Sequence, residues 1–241
     1  MLLQETFAGS NEVDRREQRP TESPFEPYLG ILHETNMSAR AFRTPEARKR
    51  TADAVRDLES STNAEVVVVV HAWSGTYRQA DLTFGVMLMM VALLVILFSD
   101  VEFPLRAIPF QIGAAFFAGV LSSAAIPPLR RLLTLRKTRN SAVRMVARAT
   151  FYDLGISETR NRTGLLIFCS IFERSVEVLP DTGLDLTMLP AKWDSPLREA
   201  AARGDLDAFV ACVRGLGPVL AQICPKTSND INELGDEVSA A

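Results

Sequence analysis

Three acidic residues occupy positions where a sheet would bring carboxylates together. Glu65 opens a run of five valines, Asp153 closes a helical segment, and Asp181 follows a short strand just ahead of Gly183. Strand ends and the loops after them often carry sites. Converging there, Glu65, Asp153 and Asp181 would offer hard oxygens to Ca²⁺ or Mg²⁺; apart, they are ordinary turn and cap residues, the commoner use of such positions. A second pair, Glu173 and Arg174, lies in the short link 172–174 between two strands. It would clamp a ligand or partner, or stay an exposed ion pair worth under about 1 kcal/mol. Arg160 and Arg162, beside Thr163, would reach a phosphate or belong to a solvated loop.

Other chemistries are not spelled out. The chain has no glycine-rich phosphate loop, dinucleotide fingerprint, zinc motif or nucleophile elbow. His33 and His71 are far apart, and Cys169, Cys212 and Cys224 share no metal-ligand spacing, so the cysteines read as buried or free thiols in a reducing compartment. A net charge of −3 argues against a dedicated nucleic-acid binder. With 47% hydrophobic and 23% charged residues in 241, the chain is not wholly disordered.

The apolar residues are unevenly spread. Residues 82–99 and 107–129 are uncharged, and both fall within the roughly 17–25 residues a helix needs to cross a bilayer, the first at the short end. The link 100–106 is too short for a domain, so the two stretches predict a helical hairpin. Gly113, Gly119, Ser122 and Ser123 would let its helices approach closely, or pack against another copy. The link carries Asp100, Glu102 and one arginine, whereas Arg130, Arg131, Arg136, Lys137, Arg139, Arg144 and Arg148 follow the second stretch before any acidic residue. That bias predicts both termini in the cytosol, as in a bacterial inner-membrane protein. It places Arg130, Arg131, Arg136, Lys137 and Arg139 at the membrane surface, as a topology signal first and as contacts for anionic lipid heads second.

The remaining segments must position these groups. Residues 1–36 are polar and aperiodic and read as a disordered tail. Thr44-Pro45-Glu46 starts a helix, with Ala47, Ala54, Val55 and Leu58 on one face. The valine run 65–70 suits a central strand buried on both sides. Beyond the hairpin, Asn140 or Ser141 would cap a helix running to Tyr152. Strands are expected at 164–171 and 175–179, and helices at 196–202 and after Asp205, the last kinked at Gly217-Pro218. One helix and one strand cannot bury a core alone. The parts 37–81 and 130–225 therefore build one α/β sandwich interrupted by the hairpin at 82–129, with a polar tail at 226–241.

The residues Ser61-Thr62-Asn63-Ala64-Glu65-Val66-Val67-Val68, Arg162-Thr163-Gly164-Leu165-Leu166-Ile167-Phe168, Glu173-Arg174, Val176-Glu177-Val178 and Asp181-Thr182-Gly183-Leu184 together resemble the TPM domain family. Trp193 and Asn232-Glu233-Leu234 resemble its bacterial membrane subgroup, in which two spans interrupt the domain; Gly235 replaces the proline usual before Asp236. The resemblance covers about residues 44–238. It implies a TPM-like fold. The family includes assembly and accessory factors, and a plant member described as an acid phosphatase. Taken together, the chain is expected to be an integral membrane accessory protein presenting its domain to a protein partner or membrane complex, without nucleic acid. The alternative is a divalent-metal-dependent phosphatase using Asp181 and Glu65 around the ion. A third reading is a scaffold that self-associates around Gly113 and Gly119.

Overall fold

The valine run decides the architecture. In a strand, alternate side chains face opposite ways, so Val66, Val68 and Val70 need one cover and Val67 and Val69 another. A computed structural model, which describes Phe42, residues 44–226 and residues 239–240, supplies both. Helix α1 (Pro45–Glu59) starts where Thr44 Oγ1 accepts the Ala47 amide at 3.1 Å, with Pro45 in its first turn. Strand β1 (Glu65–His71) is buried through Val70. The hairpin helices α2 (Arg78–Phe98) and α3 (Ile108–Ala125) follow, then α4 (Pro127–Leu133) and α5 (Arg136–Asp153). Strands β2 (Gly164–Ser170) and β3 (Ser175–Pro180) come next, then helices α6 (Ser195–Arg203), α7 (Leu206–Gly215) and α8 (Gly217–Leu220), and the short strand β4 (Ser239–Ala240).

The sheet order is β3-β2-β1-β4. Strands β1 and β2 are parallel, in register from Glu65 opposite Gly164 to His71 opposite Ser170, and β3 is antiparallel to β2. Strand β4, inside the stretch expected to be a polar tail, runs parallel to β1 at Val69 and Val70. One face of the sheet packs on Ala54, Val55 and Leu58 of α1, Leu197 of α6 and Phe209 and Val213 of α7. The other face packs on Val143, Ala147 and Phe151 of α5 and on Ile156. The fold is thus mixed α/β, with helices on both faces of the sheet. Residues 1–36 lie outside the described residues.

One helix ends where its prolines imply, and one starts earlier than expected. The second apolar stretch ends as a helix at Ala125, because Pro127 and Pro128 cannot continue it; Ile126 is extended, and α4 begins anew. Helix α5 begins at Arg136, so Asn140 and Ser141 lie inside it, and its start carries no side-chain cap. Its burial against the sheet outweighs the local capping preference.

Helices α2 and α3 are roughly 31 and 27 Å long at 1.5 Å per residue, against a hydrocarbon core of about 30 Å. Only 11% of each 18-residue apolar window is buried, whereas a core helix of a soluble domain would be mostly covered. Val86, Met90, Leu97, Phe110, Phe117 and Leu121 all face outward. Gly119 packs inside the hairpin: a Cβ there would stand 2.8 Å from Gly85 Cα and 3.0 Å from the Phe84 carbonyl oxygen. Its close approach is therefore made within one chain, while a Cβ at Gly113 would meet nothing within 4 Å. Gly119→Leu should force the two helices apart and destabilise the hairpin by about 1–3 kcal/mol, as overpacking does. Thermal unfolding in detergent checks this; an unchanged midpoint would refute the packing role.

Candidate functional site

The polar residues at the C-terminal ends of β1 and β2 gather around Glu173. This residue, in the β2–β3 turn, is buried rather than exposed. Its Oε1 accepts the Ser74 amide at 2.9 Å and the Tyr77 hydroxyl, and its Oε2 accepts the Ser170 hydroxyl. With its proton committed to Glu173, Ser170 accepts from the Ser74 hydroxyl at 2.7 Å. The carboxylate thereby ties the β2–β3 turn to the loop that leads from β1 into α2. Ser170 is fully buried, so this hydroxyl–carboxylate pair locks a turn and presents no nucleophile to a substrate. Burial and the Glu173 contact push the Tyr77 phenol well above its usual range. Burial lowers His71, against the opposing charge of Glu173, so the imidazole is neutral at pH 7.

A second polar junction holds the hairpin. Asp81, near the start of α2, receives Arg130 bidentately, Nε at 2.9 Å and a terminal nitrogen at 2.7 Å, and the Ser123 hydroxyl at 2.9 Å. It joins α2, α3 and α4 at the domain end. The planar fork of arginine suits such pairing. Neighbouring Arg131 donates Nε to the Phe172 carbonyl at 2.9 Å and lies 5.4 Å from the Phe172 ring centroid. Burial, and then the like charges of Arg174 and Arg139, lower Arg131 to about 10, with Glu173 opposing; it stays protonated at neutral pH.

Between these junctions lies a cavity of about 340 Å³, bounded by Ala124–Ile126, Arg130 and Arg131 on the hairpin side and by Trp73, Phe172 and Arg174 on the domain side. Arg174 adopts φ +50°, a left-handed conformation uncommon for a residue with a side chain. Cys169 also lines the cavity, but burial pushes its thiol up to about 12, which leaves it unreactive. Of the arginines and lysine expected at the membrane surface, Arg130 and Arg131 are half-buried in this junction. Arg136 and Lys137 are exposed at the start of α5, and the buried Nε of Arg139 finds no acceptor among the described residues.

The acidic trio is not assembled. Among the described residues no group of three His, Cys, Asp or Glu side chains can hold one metal ion. Asp153 ends α5 exposed to solvent. Glu65 and Asp181 are buried at the opposite end of the sheet from Glu173: the amide of Glu65 donates to the Thr163 carbonyl and that of Asp181 to the Gly164 carbonyl. Asp181 Oδ1 accepts the Thr182 amide at 2.7 Å and faces Arg162 at 3.8 Å, while its buried Oδ2 has no donor among the described residues. Gly183 closes this turn because a Cβ there would come within 2.4 Å of the Asn161 carbonyl oxygen. Asp153, the last residue of α5, is exposed, whereas Glu65 and Asp181 are buried.

The residues that build the junction were hidden by their context. Asp81 and Arg130 flank the two apolar stretches on the same side of the hairpin, and that flanking pair of opposite charges is the signal that would have found them. Ser74 and Tyr77 have no such signature.

No family model matches the chain, and no curated protein matches it. Among solved structures, the chain is similar to the BA42 protein of the psychrophilic bacterium Bizionia argentinensis, an NMR structure. The identity is 16% over 82% of this chain and 94% of that one, with a TM-score of 0.48. That likeness is too distant to bear on function.

Removing the Glu173 carboxylate leaves three donors unpaired and takes a negative charge from beside several arginines. Glu173→Ala should cost about 3 kcal/mol or more. Chemical unfolding in detergent, followed by tryptophan fluorescence, measures it; a loss below about 1 kcal/mol, the range of an exposed pair, would contradict the buried role.

Proposed function

We propose that this chain is an integral membrane accessory protein whose hairpin holds the α/β domain against the bilayer and presents it to a protein partner or membrane complex. The observation that carries this reading is the hairpin itself: two long helices with apolar surface turned outward, inserted between paired strands β1 and β2, braced at their base by Asp81 and Arg130, and tied to the domain where Arg131 donates to the Phe172 carbonyl and Tyr77 donates to Glu173. An anchor on a flexible tether would leave the domain free to tumble, whereas this one fixes which face of the domain meets the membrane. The concentration of arginine after α3 supports cytosolic termini, in the manner of a bacterial inner-membrane protein. The resemblance to the TPM domain family supports an assembly or accessory role.

The test is purification of the tagged full-length chain from native membranes in mild detergent, after alkaline carbonate washing, with partners identified by mass spectrometry. The chain should stay with the membrane and bring a stoichiometric partner. Release by carbonate would overturn the anchor, and a chain that stays inserted with no reproducible partner would overturn the accessory role. Reporter fusions after Ala241 and within residues 100–106 should report opposite sides of the membrane.

A second reading, a divalent-metal-dependent phosphatase of the TPM type, is supported by one observation: the buried Asp181 Oδ2 without a donor, with Glu65 at the same end of the sheet. A cation such as Ca²⁺ or Mg²⁺ would satisfy that oxygen. On this reading the purified chain releases phosphate with Ca²⁺ or Mg²⁺, and Asp181→Asn lowers the rate at least about a hundredfold without unfolding. Equal rates for the two proteins would eliminate it.

A further inference from the structure

We propose that the cavity at the domain end of the hairpin binds an anionic phospholipid, with the headgroup phosphate taken by Arg131 and Arg174 and the apolar part lying along the end of α3. The inference rests on the membrane reading above and goes beyond it by naming a ligand. Three observations carry it.

The first is position. The cavity is walled on one side by Ala124–Ile126, the end of a helix long and apolar enough to span, and on the other by the strand ends of the domain. A lipid in the leaflet nearest the domain reaches it without leaving the bilayer. The second is chemistry. Three arginines line the cavity, and no carboxylate is among its described lining residues; the remaining wall is largely apolar, including Trp73, Ile126 and Phe172. A free phosphate would use the cations and waste the apolar wall, and a neutral lipid would do the reverse. Basic pockets beside spanning helices are suited to anionic headgroups.

The third is charge balance. Asp81 neutralises Arg130 through two hydrogen bonds. Arg131 and Arg174 both line the cavity, and the like charge of Arg174 acts on Arg131 more strongly than the opposing charge of Glu173, which accepts from Ser74, Tyr77 and Ser170. A bound phosphodiester would relieve that repulsion. The volume, about 340 Å³, falls in the range of roughly 300–1,000 Å³ usual for small-molecule sites.

The chain reports on the site directly. Trp73 lines the cavity, and Trp193 is the other of its two tryptophans. In the Trp193→Phe background, the full-length protein in phosphatidylcholine nanodiscs would be titrated with brominated phosphatidylglycerol or brominated phosphatidylcholine, following quenching of Trp73. Phosphatidylglycerol should quench at roughly tenfold lower mole fraction than phosphatidylcholine. Arg131→Gln with Arg174→Asn should bring the two lipids level, and asparagine is chosen because it tolerates the left-handed backbone. Equal quenching by both lipids in the parent, or an unchanged preference in the double variant, would overturn the proposal. So would complete protection of Trp73 by soluble glycerol phosphate, which would make this a site for free phosphate. Failure of the chain to enter nanodiscs at all would instead overturn the membrane reading beneath it.

Discussion

The parallel pairing of β1 with β2 is the constraint on which the rest depends. Parallel neighbours cannot be joined by a tight turn; the chain must leave one end of the sheet and return to the other. Here it leaves after His71 at the C-terminal end of β1 and comes back along the sheet as α5 to begin β2 at Gly164. Anything inserted before α5 must therefore stand at the C-terminal edge of the strands. The hairpin is such an insertion. Its place in the chain sets its place in space, and with it the edge of the sheet that meets an apolar environment. In open α/β sheets that edge is also where ligands tend to bind, so cavity, hairpin and strand ends coincide for a topological reason.

An apolar hairpin contributes nothing to a water-soluble core, and its orientation must be fixed by other means. Polar contacts at the boundary do this. Asp81 draws Arg130 and Ser123 to one point, so the ends of α2 and α3 and the start of α4 cannot slide past one another without leaving a carboxylate unpaired. Glu173 does the same between the β2–β3 turn and the loop entering α2. Each is costly to break, because the group left behind is sheltered from water. Gly85 and Gly119 complete the arrangement by letting the hairpin helices touch backbone to backbone.

Local signals identified most elements. Thr44-Pro45 starts α1, the valine run is β1, the buried run from Gly164 is β2, and Asp205 caps α7 as its spacing suggests. They were weaker where packing overrides propensity. Asn140 and Ser141 look like caps, yet α5 extends through them because its face toward Val67 and Phe168 is worth more than a cap. The site was less legible than the fold. Glu65 and Asp181 are buried at the same end of the sheet, but Asp153 does not join them, because at the end of α5 it stays exposed to solvent. Glu173 and Arg174 look like an exposed turn pair because a three-residue link between strands is usually solvated; Arg174 is exposed as that implies, whereas Glu173 is buried under the hairpin junction.

Composition and period are carried by the residues themselves. The sequence alone therefore determines that two long apolar helices follow a buried strand, that charge is heaviest after the second, and that α and β segments must share one core. Which polar groups meet across that junction is not carried by any local pattern. Ser74, Tyr77, Asp81, Arg130 and Arg131 converge with Glu173 and Arg174 because the crossover brings separate stretches of chain to one edge of the sheet. Hydrogen bonds and charges act over a few ångströms, and only the tertiary structure sets distances on that scale.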